Sequence, residues 1–520
     1  MAGFDLVWVV ASNLLLIVLS YIIGDVILTV KSTLKYSQHP VVSNLWTLAP
    51  RFLLNLSFAN SASAILEKGY HKFKTCTFQI VRGQGNAVVL PLSMLEELAA
   101  IPASIASPHA ALEHDLLGPY TGLDLILESR IHHTIVQRKL TPRLNLLTSG
   151  MESELRYAFE KCFSSIQTGK WTEFQPYQIF GNISARLTGR ALVGPRLCRD
   201  EVWLDIAFNY TENLFRTIVI LRLLPPWMQP LVCVFLPSFW KGKYYVRRAK
   251  KLLRPILQEL LNEPNASSPG TYDPNTSNVM HWLAELAKGP DRSADTIAHI
   301  EVLLSLASVH TTLLRMVNVL YDITSSGSEL VEELREEIAK ISQSNTSWEG
   351  NLYDKLHKLD SVLRESQRMS PPTILGMKRL FKADYIFNNG VAIPKGTYVC
   401  MPTFAIENDA EHTENPAIFD GLRSYRALVG SEEGRKSDSY LFTSTERTAL
   451  NFGYGKSACP GRFFAGLIIK MLFVKLLTEF DFKFLPNTQR PSNLMVHEFL
   501  FCWPWQKMLV RRRKDAFAVI

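Results

Sequence analysis

Apolar and polar positions along this 520-residue chain alternate with different periods in its different parts. At the start, Leu6–Ile23 runs for 18 residues without a charge, and apolar character resumes at Val26–Val30. That length suits one bilayer crossing. Met1–Asp5 carries an acidic residue and no basic segment, unlike a cleaved leader. Lys31, Lys35 and Arg51 follow, which favours a body on the cytosolic side. From Met151 to Met369 the helical period dominates. Asp295 to about Ser325 holds neither Pro nor Gly and predicts one helix of roughly 45 Å, enough to cross a domain. Leu359–Met369 predicts another, stopped by Ser370-Pro371-Pro372.

Strand patterns cluster at the two flanks. Thr75–Val81 and Ala87–Leu90 straddle Gly83–Gly85, and Tyr385–Ile393 contains the hairpin dipeptide Asn389-Gly390. Ser93 with Glu96 predicts a capping box. Thr217–Phe239 is apolar but contains Pro225, Pro226, Pro230 and Pro237, which excludes a spanning helix. Its Trp227 and Met228, with Trp240, suit either a loop at a lipid interface or a core segment. Asn262–Asn278 and Gly430–Ser439 read as surface loops. The expectation is a mainly α fold with a small β portion. It comprises an anchor at 1–30, a hinge at 31–60 carrying Pro40 and Pro50, and one domain at 61–520.

The net charge of +8, 47% hydrophobic residues and mean hydropathy of +0.04 fit a large core plus an anchor. Arg511-Arg512-Arg513-Lys514 is too short a basic run to argue for nucleic acid and suits water or anionic lipid. Seven cysteines at 76, 162, 198, 233, 400, 459 and 502 form no spaced pairs, as in a reducing compartment.

The chemistry concentrates in Phe452-Gly453-Tyr454-Gly455-Lys456-Ser457-Ala458-Cys459-Pro460-Gly461-Arg462. A phosphate loop would need glycine at Leu450, and Ala458 replaces the third glycine of a dinucleotide fingerprint. With no near Cys or His, a tetrahedral zinc site is excluded. A buried structural cysteine is the alternative. One thiolate suffices for a metal that brings its own four ligands, and the glycines let backbone N–H groups approach both macrocycle and sulfur.

This loop, followed by Phe463-Phe464-Ala465, resembles the cysteine-ligand loop of the cytochrome P-450 haem-thiolate monooxygenases. The resemblance implies Cys459 as axial ligand of haem b, with Phe452, Gly455 and Arg462 around it. It extends to Glu365-Ser366-Gln367-Arg368, about ninety residues earlier, and to Arg423, and so implies a charge network of Glu365, Arg368 and Arg423 behind the haem. Ala307-Ser308-Val309-His310-Thr311-Thr312 matches the oxygen-activation segment, with Ser308 in place of the usual glycine and His310 in place of the usual acid. Thr311 would set a hydroxyl over the iron, with His310 as a proton relay; hydroxyls bonded back to the preceding turn are the other reading. The propionate helix matches poorly: His132–Thr141 offers Arg138 as the basic group and His133 as the donor.

The resemblance further implies a single-pass endoplasmic reticulum membrane protein with a cytosolic catalytic domain. It would hydroxylate a lipophilic molecule with O2 and electrons from an NADPH-cytochrome P-450 reductase. Pro372–Leu375 and Glu498–Phe501 match pocket-lining segments. The flavour of both motifs is that of fungal enzymes that tailor terpenoids or meroterpenoids. A reductase-independent isomerase or dehydratase, and a non-catalytic haem-binding membrane protein, are the rivals.

Overall fold

The computed structural model describes residues 2–36, 38–47, 49–262, 277–343, 350–430 and 437–516. Most of the loop expected at Asn262–Asn278, and the middle of that at Gly430–Ser439, lie outside them. Ten longer helices carry the fold: α1 (Ala2–Lys35), α2 (Arg51–Lys72), α3 (Leu144–Phe163), α4 (Pro176–Leu192), α5 (Glu201–Leu223), α6 (Pro237–Asn262), α7 (Ala294–Ser325), α8 (Ser328–Gln343), α9 (His357–Met369) and α10 (Arg462–Glu479). α10 is apolar all round and is buried all round, as such a helix must be in water. Its last carbonyls, on Leu477 and Phe480, accept from the buried Arg335 guanidinium at 3.0 Å each. α7 is long and apolar enough to cross a membrane, yet it runs mostly buried through the protein against α4, α5 and α6.

The six-stranded sheet runs in the order β1 (Val41–Val42), β2 (Phe78–Arg82), β3 (Gly85–Val89), Tyr398–Met401, Gly376–Phe381, then β4 (Ala106–Ser107). β2 and β3 are the expected hairpin, with Phe78 opposite Val89 and Gly85 at φ +139° in the turn. Both strands are buried throughout apart from Gly85, because helices cover the sheet. The Asn389-Gly390 hairpin also forms, pairing Tyr385 with Ile393.

Two local expectations give way to tertiary context, and a third resolves into both of its alternatives. Segment 31–60 is folded rather than a hinge: α1 continues to Lys35, Val41–Val42 pairs in parallel with Gln79–Ile80, and α2 begins at Arg51. Ser93 caps nothing. Pro91 opens a 3-10 turn over Leu92–Met94, so Ser93 lies inside the turn, and Glu96 accepts from the Tyr454 hydroxyl at 2.8 Å. Thr217–Phe239 is divided: α5 stops at Leu223 before Pro225-Pro226, and the following segment leaves Trp227, Leu231 and Phe235 exposed, as is Trp240 at the start of α6.

Candidate active site

Residues 452–462 form a tight loop ahead of α10. The Cys459 N–H donates to the Phe452 carbonyl at 2.7 Å and closes it. Gly453 (φ +77°) sits where an added Cβ would come 3.1 Å from the Ser457 oxygen, so no larger residue fits without a shift. Gly455 also has positive φ, at +60°. The Phe452 ring meets Phe442 edge-on at 5.2 Å. The Arg462 guanidinium donates to the carbonyls of Thr443 (2.9 Å) and Cys459 (2.8 Å), pinning the loop from both sides. Burial pushes the Cys459 thiol up; the Gly461 and Arg462 amides and the Arg462 charge act the other way, toward thiolate.

Behind this loop, Glu365 is buried and receives Arg368 Nη2 at 2.6 Å, Arg368 Nε at 2.9 Å, Arg423 Nε at 3.3 Å and the Asp420 N–H at 3.2 Å. Arg368 also donates to the Pro416 carbonyl at 2.8 Å. One carboxylate thus fastens α9 to the 414–423 segment. The buried Glu407, which no sequence motif marks, continues the fastening: it accepts from the Leu450 N–H and Asn451 Nδ2, both at 2.6 Å, just ahead of the cysteine loop. Burial raises its carboxyl to about 7 against those donors.

At mid-helix, α7 departs from its burial. Ala307 and Thr311 are exposed and Ser308 is half-buried, although their neighbours in the helix pack into the core. Cys459 is likewise exposed although protein surrounds it closely. The Thr311 hydroxyl donates to the Ala307 carbonyl at 2.7 Å, the back-bonding that sequence alone left open. His310 points elsewhere: it packs against Phe208 (4.9 Å between ring centroids), and neither ring nitrogen has a hydrogen-bond partner. Burial lowers it to about 4, so the ring is neutral near pH 7.

Arg138 lies exposed on the π-helical turn Val136–Leu140. The buried cation of this region is Arg379, in strand Gly376–Phe381. It donates to Ser457 Oγ of the cysteine loop at 3.0 Å and to the Lys378 carbonyl at 2.9 Å. No carboxylate offsets its burial, which lowers it to about 10. His109 is held down to about 4 by burial and by Arg130, His132, His133 and Arg379. The result is a cluster of cation and imidazoles in want of an anion. Alternation in the strand, with Met377, Arg379 and Phe381 buried, is the signal that could have singled out Arg379. Of the two segments expected to line a pocket, the Ile374 N–H donates to the Glu498 carbonyl at 2.9 Å and the Leu500 N–H to that of Pro372 at 3.1 Å, so the two stretches are seamed together. Against the push of burial, Arg222 and Lys378 hold Glu498 down to about 2.

A family model described as Cytochrome P450 matches residues 88–508, most of the chain. The chain belongs to the cytochrome P450 family. Cytochrome P450 monooxygenase AN1598 of Emericella nidulans is 35% identical, covering 94% of this chain and 91% of that protein. Ent-kaurene oxidase P450-4 of Gibberella fujikuroi is 31% identical, covering 95% of both. Cytochrome P450 monooxygenase paxP of Penicillium paxilli is 33% identical over 91% of this chain and 90% of that protein. The retinoic acid-bound cyanobacterial CYP120A1 shares the P450 fold at a TM-score of 0.65 and 19% identity, over 91% of this chain and 99% of that one. The protein is therefore a single mainly helical P450 domain of the monooxygenase class, with haem b as its cofactor. The residues present fit that group. Among the described residues no cluster of three or more His, Cys, Asp or Glu could hold a bare metal ion, whereas one sulfur faced by amides suits iron already held by a macrocycle.

Proposed function

We propose that this cytochrome P450 hydroxylates a lipophilic terpenoid or meroterpenoid, using O2 and electrons from an NADPH-dependent P450 reductase. The observation that carries the reading is the pairing of an amide-faced Cys459 with a long helix exposing Thr311 and Ala307 at its middle. Cys459 binds the haem iron, and the haem supplies the oxygen chemistry. Phe452, Gly455 and Arg462 hold the loop in register, and the Glu365–Arg368–Arg423 network keeps its backing stiff. Arg379, with His109 and His133, takes the propionates in place of the exposed Arg138. Thr311 orients oxygen and passes protons from the distal side; His310, neutral and without polar partners, packs against Phe208 rather than relaying.

Membrane attachment by α1 belongs to the same reading. Ile23, Ile27 and Leu28 of α1 are exposed, and Tyr21 meets Trp227 of the exposed apolar turn at 5.8 Å, so two greasy surfaces adjoin. Such a placement fits an endoplasmic reticulum protein with its body in the cytosol, drawing substrate from the lipid. Three of the relatives are named ent-kaurene oxidases, so ent-kaurene is the natural first substrate to offer. The test is turnover of ent-kaurene and related scaffolds by yeast microsomes holding this protein and a reductase, with labelled O2. Incorporation of one labelled oxygen atom is expected. Product formed without NADPH would replace this reading with a rearrangement chemistry.

A further inference from the structure

Four polar side chains along one side of α7 lie at positions 301, 305, 308 and 312, spaced by four, three and four, so they form a continuous stripe on the helix. Glu301 is fully buried and neither carboxyl oxygen has a partner. The hydroxyls of the buried Ser305 and Thr312 also lack partners. Ser308, half-buried, shares a hydrogen bond of 3.2 Å with Thr188 of α4. Ser184 of α4 donates to the Val309 carbonyl at 2.9 Å, so the middle of the stripe faces α4. His310 is on the other side of α7, against Phe208.

Buried polar groups without partners are costly, and a carboxyl more so if it ionises. Burial alone, with no charged neighbour, raises the Glu301 carboxyl well above its ordinary value, toward the neutral acid. A buried, unpartnered carboxyl biased toward its neutral form therefore sits roughly 10 Å along the axis from Ser308. Ser308 in turn is one turn before Thr311, whose hydroxyl reaches the Ser308 carbonyl at 3.3 Å. Hydroxyls at such spacings pass protons when water bridges the gaps.

We propose that Glu301 is the acid of this site: it feeds protons through Ser305 and Ser308, beside Thr188, to Thr311, the duty that His310 cannot perform. The proposal rests on the monooxygenase reading. Putting one oxygen atom of O2 into substrate and the other into water consumes two protons with the two electrons that the reductase supplies. In each of the two deliveries per turnover the Glu301 O–H bond breaks, Ser305 accepts the proton as it gives up its own, and the carboxylate recovers a proton from solvent before the next delivery. Glu301 touches no reacting atom, so it is a positioning residue for the proton.

The test is Glu301→Gln in the full-length, haem-loaded protein, with Ser305→Ala as a second variant. Glu301→Gln should keep its haem content and substrate-induced spectral change. It should form product per NADPH about tenfold less efficiently, release the balance as hydrogen peroxide, and show a larger solvent deuterium isotope effect. Infrared spectroscopy should find a protonated-carboxyl band that Glu301→Gln abolishes and that Ser305→Ala shifts. Coupling within twofold of the parent, or no such band, overturns the proposal. An inactive parent enzyme overturns the monooxygenase reading instead, and the infrared band still decides the state of Glu301.

Discussion

The cysteine side and the mid-helix side of the site follow opposite rules. Around Cys459 nearly every polar group is engaged: Phe452 closes the loop, Arg462 grips two carbonyls, and Glu365 takes four donor atoms. Along α7, Glu301, Ser305, His310 and Thr312 are buried with side-chain atoms unpaired. A ligand loop must hold one sulfur in one place, so satisfied hydrogen bonds make it rigid. The proton path proposed along α7 would need groups held in reserve, at a cost in stability.

The hardest blow to this contrast falls on the rigid side. Cys459→Ser should remove the carbon monoxide band of thiolate-ligated haem and abolish turnover; a variant keeping both would end the ligand assignment. Next, Glu365→Ala leaves two buried or half-buried guanidinium groups without their carboxylate. It should cost about 3–5 kcal/mol in denaturant unfolding, with haem released early. If it costs under about 1 kcal/mol, the loop's stiffness has another source. Arg379→Ala should weaken haem retention by about 2 kcal/mol, measured by transfer to apomyoglobin, while Arg138→Ala changes it little. Equal effects would return the propionates to Arg138.

On the polar, unpaired side the effects are smaller. Thr311→Val should leave haem spectra intact while product per NADPH falls about tenfold and peroxide rises. His310 gives the mildest prediction. Its folded pKa of about 4 lies below the ordinary value of 6.5, so the unfolded chain binds the extra proton between those limits. The stability it contributes is complete above pH 6.5 and drains away as pH falls toward 4. His310→Phe should therefore be less acid-sensitive than the parent, by about 1 kcal/mol at pH about 5.5 in denaturant titrations.

Much of the rigid side was legible because its information is local. The cysteine loop is a run of eleven residues with glycines where the chain must turn, and Glu365 with Arg368 is one helical turn. Arg423 needed only the knowledge that a partner comes later. Glu407 and Glu301 were not legible, and Arg379 was so only through the alternation of its strand. Each is an ordinary charged residue by composition, and only the folding of distant elements strips it of water. Ser93 and the supposed hinge failed for the same reason at smaller scale: Pro91 and the pairing of Val41–Val42 overrode local pattern.

That last pairing has a practical consequence. Gln79 Nε2 donates to the carbonyls of Tyr36 (3.1 Å) and His39 (2.7 Å), while Val41 and Val42 lie alongside Gln79 and Ile80. Clipping the chain after residue 30 leaves this seam whole, so a shortened, detergent-free enzyme should still fold. Clipping after residue 60 would strip an edge strand and half of α2, and leave the greasy flank of Phe78 and Ile80 open to self-association.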